Sequence, residues 1–180
     1  MASPKSCAIL GHNPMRFAWG FDEEAAECHD MKMERAQQIM VLRQQGVTHF
    51  SVACDYGVGL YAAEIINALR NDDSELMLFC ITPYEEQATK WTPALRERYF
   101  DMLIKCTHMT AVSLHKQPDA QLEAYRAIIR QSDMVLAVYD PASARGDDAD
   151  KAIAYARELG KPILTIHPDT LKIEYACIEV

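Results

Sequence analysis

Short apolar runs recur along this chain, and each is closed by a loop and followed by a helical pattern. Cys7-Ala8-Ile9-Leu10 leads into Gly11-His12-Asn13-Pro14, and Phe50-Ser51-Val52-Ala53 into Cys54-Asp55-Tyr56-Gly57-Val58-Gly59. Met77-Leu78-Phe79-Cys80-Ile81 leads into Thr82-Pro83-Tyr84-Glu85-Glu86-Gln87, and Met134-Val135-Leu136-Ala137-Val138 into Tyr139-Asp140-Pro141. Uninterrupted apolar runs are what strands need when both faces of a sheet are covered by helices. The alternation predicts one doubly wound α/β domain over 1–180, Rossmann-like, with a mainly parallel sheet of five or six strands. In such sheets ligands collect at the carboxyl ends of the strands, so these loops are where function is expected.

The elements follow from pattern and punctuation. Strands are predicted near Ser6–Leu10, Thr48–Ala53, Leu76–Ile81, Ala111–Ser113, Met134–Tyr139 and Pro162–Ile166. A helix over Asp30–Gln45 would bury Met33, Ala36, Ile39 and Met40, with Gly46 ending it. Ala62, Ile65, Ile66 and Leu69 recur at i, i+3, i+4 and i+7. Pro93 opens a helix with Leu95, Tyr99, Met102, Leu103 and Cys106 inward. Pro118 and Asp119 open another that buries Leu122, Tyr125, Ile128 and Ile129, and a last helix spans Asp148–Leu159. Residues 168–180 read as an arm or as an edge strand.

Charge and cysteine usage narrow the function classes. Eighteen basic against 26 acidic residues give a net charge of −8, the opposite of a chain that grips nucleic-acid backbone. The six cysteines are widely spaced and form no Cys-x-x-Cys pair, so no metal site is expected, and a reduced, cytoplasmic setting fits. Neither a signal peptide nor a run of membrane-spanning length is expected. Self-association stays open.

Each strand-end loop has a chemical and a plain reading. Gly11 allows close approach to backbone and His12 offers a hydrogen bond, or the segment is a simple turn. Gly57-Val58-Gly59 feeds a helix whose N-terminus would suit phosphate, although no lysine follows as in a P-loop. Glu64 either reaches that site or is a solvated helix residue. Glu85, after Pro83, could read a sugar or base, or simply start a helix. Arg96 and Arg98 are surface charges or ligand partners. Asp140 and Gly146-Asp147-Asp148 precede the last helix, where acids cap N–H groups and would repel phosphate.

These blocks, in this order, resemble the YpsA-like branch of the SLOG superfamily. The resemblance rests on Gly11-His12 with Pro14, Trp19-Gly20, Gly57-Val58 with Leu60, and Ala62-Ala63-Glu64. It continues through Ile81 with Pro83, Glu85 and Gln87, then Trp91, Arg96-Glu97-Arg98-Tyr99, Ser132-Asp133 and Ala137-Val138-Tyr139-Asp140, to Tyr155-Ala156 and Lys161-Pro162. That superfamily includes the "lonely guy" phosphoribohydrolases and the DNA-processing protein DprA. The resemblance implies a nucleotide-derived ligand, with no certain cofactor, touching Gly11, His12, Asn13, Gly57, Gly59, Glu64, Pro83, Glu85, Asp140 and Gly146. It leaves two alternatives: an N-glycosidase with Glu64 or Glu85 as the catalytic carboxylate, and a DprA-like nucleic-acid role that the charge disfavours. Three departures stand out. Asn13 replaces the family's arginine, Gly59 its aspartate, and Asp147-Asp148-Ala149 its Gly-Gly-Thr phosphate loop. The motif of the phosphoribohydrolases is absent. Weakened phosphate binding is the expectation.

Overall fold

A computed structural model describes residues 4–177. Seven strands form one sheet: β1 (Ser6–Gly11), β2 (His49–Val52), β3 (Met77–Tyr84), β4 (His108–Ser113), β5 (Met134–Val138), β6 (Ile163–Ile166) and β7 (Ile173–Ala176). Five helices connect them: α1 (Ala26–Gln44), α2 (Val58–Leu69), α3 (Pro93–Lys105), α4 (Ala120–Arg130) and α5 (Asp148–Glu158). The spatial order is β4-β3-β2-β1-β5-β6-β7, and every neighbouring pair is parallel except β6 with β7.

The expected α/β architecture is present, with seven strands rather than five or six. The added strand pairs antiparallel with β6, Ile163 opposite Ala176 and Ile166 opposite Ile173. It is an exposed edge strand, so backbone pairing forms it without the apolar run that marks the central strands. Residues 178–180 of the predicted arm lie outside the described residues.

One apolar layer packs α1, α2 and α3 on one face of the sheet, and a second packs α4 and α5 on the other. Alternate residues of β1 serve the two layers, Cys7 and Ile9 one, Ala8 and Leu10 the other. Helix α1 departs from the expected stripe. Met33 and Met40 are exposed, and the buried face is Cys28, Met31, Arg35, Ile39 and Leu42. The face includes an arginine, which an apolar-pattern reading assigns to solvent. Strand β4 is likewise longer than expected and largely exposed, because it too is an edge.

The chain steps outward from β1 to β4 and then returns to place β5 beside β1. Connections on the two sides of that point run to opposite faces, which opens a crevice at the carboxyl ends of β1 and β5. Among the described residues no helix is long and apolar enough to cross a membrane.

Candidate functional site

The crevice holds about 360 Å³. Gly11 and Asn13 come from the end of β1, Asp55 and Tyr56 from the turn after β2, Gln121 and Tyr125 from α4, and Asp147 and Asp148 from the start of α5. Phe21 lies over it from the loop that precedes α1, its ring stacked on Tyr56 with centroids 5.5 Å apart and planes 2° from parallel.

Asp55 owes its position to two backbone features. Cys54 adopts a left-handed conformation, φ 55°, which turns the chain sharply at the strand end. The Asp55 carboxylate then lies over the first turn of α2, where a side chain on Gly59 would overlap its Oδ1. Gly59 is therefore required by Asp55. The aspartate that the family pattern would put at 59 would fall on the carboxylate supplied from 55. Burial pushes the Asp55 carboxyl up to about 6, against the lowering influence of the Gly59 backbone N–H and Tyr125. Its Oδ1 has no hydrogen-bond partner. The helix start at Gly57-Val58-Gly59 thus already carries a carboxylate in the place considered for phosphate.

The start of α5 is filled in the same way. Asp150 Oδ2 accepts from the backbone N–H groups of Arg145 at 2.6 Å, Gly146 at 2.6 Å and Asp147 at 3.2 Å. Three convergent N–H groups form a concavity for an anion, and here the anion is a side chain of the same chain. Asp150 Oδ1 accepts from the Tyr139 hydroxyl at 2.6 Å and from Arg16 at 3.3 Å. Burial pushes the Asp150 carboxyl up, but the donors from Tyr139, Arg145, Gly146 and Arg16 together hold it far below the usual carboxylate range. Arg16 also pairs with Asp147 at 2.8 Å and donates to the Ser143 carbonyl at 2.7 Å. Asp147 completes a capping box with Asp150. Asp148 forms no ion pair among the described residues, and burial raises its carboxyl.

The remaining expected site residues go to separate places. His12 is buried behind the crevice and joins its two central strands. Its backbone N–H donates to the Val138 carbonyl at 3.1 Å, and its Nε2 accepts from the Asp140 N–H at 2.8 Å. An accepting Nε2 places the proton on Nδ1, and burial lowers the imidazole to about 4. Gly57 packs against Pro14, and Asp140 caps its own turn by accepting from Ala142 N–H. Glu64 is held by Arg98 at 2.7 Å in a network with Glu23 and Lys32. Glu85 lines a groove between β4 and α3, while Pro83 lines a trough beside Trp91 and Lys116 that meets the crevice at Gln121 and Asp148. Of the ten expected site residues only Gly11 and Asn13 line the crevice, joined by Asp147 and Asp148 at the start of α5; Gly57, Gly59, Asp140 and Gly146 stand just behind its wall, and Glu64 and Glu85 stand apart from it. Asp55, Gln121, Tyr125 and Phe21 were not singled out by the sequence reading. Asp55 carried a signal, an acid two residues beyond an apolar strand, whereas α4 and the Phe21 loop gave none.

The YpsA family model, described as the YspA SLOG family, matches residues 7–171. The chain belongs to the YspA SLOG family. It is 32% identical over 108 residues to UPF0398 protein BH1768 of Halalkalibacterium halodurans, a stretch covering 58% of this chain and 56% of that relative. It is 27% identical over 139 residues to UPF0398 protein BCB4264_A1614 of Bacillus cereus, covering 76% of this chain and 74% of the relative. Within this SLOG chain two of the three departures from the expected family pattern, at Gly59 and at Asp147-Asp148, have one physical sense. Asp55 stands where Gly59 makes room, and Asp150 fills the loop beside Asp147-Asp148. Among the described residues no group of ligating side chains is arranged for a metal ion.

Proposed function

We propose that this SLOG protein is a binding module for a nucleotide-derived small ligand, seated in the crevice between the ends of β1, β2 and β5. Support comes from the switch-point position, the size of the crevice and its mixture of aromatic faces with a few polar groups. One observation carries the finer reading: Asp150 occupies the N–H concavity of the α5 loop. Together with Asp55 over α2, it fills both glycine-loop positions with carboxylates. The ligand's contacts in the crevice are therefore made by its nucleoside portion rather than by phosphate. All six cysteines are free thiols, in keeping with a reducing compartment such as the cytoplasm.

A thermal-shift panel of nucleosides, nucleotides and nucleotide sugars tests this, because a ligand that binds the folded state raises its stability by mass action. At least one nucleoside should raise the melting temperature of the wild type and lose most of that effect in Phe21→Ala, which removes an exposed aromatic face of the crevice. No shift with any compound contradicts the proposal.

A second reading has one observation in its favour. Asp55 is a buried carboxyl facing the crevice, the kind of group that could stabilise an oxocarbenium-like sugar in N-glycoside cleavage. Free base released by the wild type and not by Asp55→Asn would establish that reading over simple binding.

A further inference from the structure

The two edges of the sheet are guarded differently. β7 carries Glu174, paired with Lys172 at 2.7 Å, and charges on an edge discourage further strand pairing. β4, at the opposite edge, reads His108-Met109-Thr110-Ala111-Val112-Ser113, with no Lys, Arg, Asp, Glu or Pro. All six residues are exposed or half-buried, and one side of the strand's backbone meets no neighbouring strand. An uncharged edge of this kind is a template for another strand.

Beside it lies the groove between β4 and α3, about 880 Å³ in volume. Phe100 is 50% exposed, Ile104 82%, Met109 51%, Val112 42% and Leu114 61%, and all five line the groove. Glu85 is its one charged lining residue. Side chains of this size and exposure present about 500 Å² of apolar surface, near the upper end of what a monomer leaves uncovered. Two copies meeting there cover about 1,000 Å², the size at which specific interfaces begin, before backbone and rim are added.

We infer that the β4–α3 edge is the contact of a twofold homodimer, in which β4 pairs antiparallel with β4 of a second copy and the sheet runs on across both. The occupant is a second copy because the surface is complementary to itself. Glu97, Phe100 and Ile104 fall at i, i+3 and i+7, on one stripe of α3. Under a twofold axis the two α3 helices run antiparallel, which sets Phe100 of each copy against Ile104 of the other. Glu97, which forms no ion pair among the described residues, then lies near the far end of the other α3, where Lys105 sits. A chain of net charge −8 repels its own copies over most of its surface, and this nearly uncharged groove is where apolar burial meets least repulsion. The contact is closed, so pairing consumes the open edge and no filament grows from it.

Sedimentation velocity over a concentration series of the full chain tests this, with circular dichroism and thermal unfolding to show that each variant is folded. The wild type should sediment as a dimer that dissociates on dilution. Ile104→Glu alters a side chain outside the core and should weaken the dimer by about tenfold or more. Val112→Lys puts a charge on the strand edge and should do the same. Met33→Glu, at a position 71% exposed on α1, should leave the dimer intact. A wild type that is monomeric at every concentration overturns the inference, and the open edge is then left to an extended segment of another protein. A dimer that survives either groove variant, or that Met33→Glu weakens equally, overturns it as well.

Discussion

The Asp150 carboxylate lies 2.6 Å from the backbone N–H of Gly146, at the centre of a loop whose geometry suits a bound anion. A side chain four residues along the chain satisfies the donors that a phosphate would otherwise meet. The loop's N–H groups are satisfied without a ligand, and on that one contact set we propose that phosphate is not bound there.

Asp150→Ala should therefore be destabilised by about 2–4 kcal/mol, since a buried charge network loses one partner and several N–H groups are left unpaired. Sulfate or phosphate should partly restore the melting temperature of this variant and leave the wild type nearly unchanged. Equal salt responses from the two proteins would show that the loop is not an occupied anion site.

Gly59→Ala offers a test of the Asp55 position. In an open helix this change gains about 1 kcal/mol. Here the new Cβ would overlap Asp55 Oδ1, and the carboxylate or the helix start must move. Net destabilisation and loss of ligand binding are expected. A variant more stable than the wild type, with binding intact, would place Asp55 elsewhere.

The pH dependence of stability separates Asp55 from His12. The Asp55 carboxyl rises from 3.8 to about 6 on folding, so the folded state holds the proton more tightly and stability falls as pH rises from about 4 to 6. The His12 imidazole falls from 6.5 to about 4, so its contribution rises over pH 4 to 6.5 and opposes that of Asp55. Each amounts to about 3 kcal/mol when complete, and the wild-type profile across this range should be shallow. Asp55→Asn removes one side of the balance. Denaturant unfolding should show this variant more stable than the wild type by about 2–3 kcal/mol at pH 8, the gap closing towards pH 4. Parallel pH profiles for the two proteins would remove Asp55 from the account.

His12→Ala should cost about 2–4 kcal/mol, because it deletes a buried ring and leaves the Asp140 N–H without its acceptor. The same loss should appear with and without nucleoside. A variant of unchanged stability with lost binding would mark His12 as a ligand contact rather than a clasp between β1 and β5.

The central strands were legible because β1, β2, β3 and β5 are sheltered on both faces over most of their length and are therefore largely apolar, with Ser51 in β2 and Thr82 in β3 as buried polar exceptions. Edge strands β4 and β7 were harder, since exposed strands keep no such run. Arg35 hid the true face of α1: its guanidinium is buried and donates to the Val58 carbonyl at 3.2 Å, a contact invisible to any apolar pattern. At the site, the glycine loops were legible as loops, but what fills them was not. The Asp150 contacts span four or five residues and depend on a left-handed Gly146, φ 74°. The Asp55 contact depends on the turn at Cys54. Gln121 and Tyr125 enter from α4 through topology alone.

The most direct test compares a nucleoside with its 5′-monophosphate by calorimetry on the wild-type chain. With both helix starts occupied by carboxylates and an acidic crevice between them, the added phosphate finds no vacant N–H concavity and meets an adverse field. The nucleoside should bind at least as tightly as the monophosphate, and the difference should shrink at high salt. A monophosphate that binds tenfold or more tightly than the nucleoside would contradict the account.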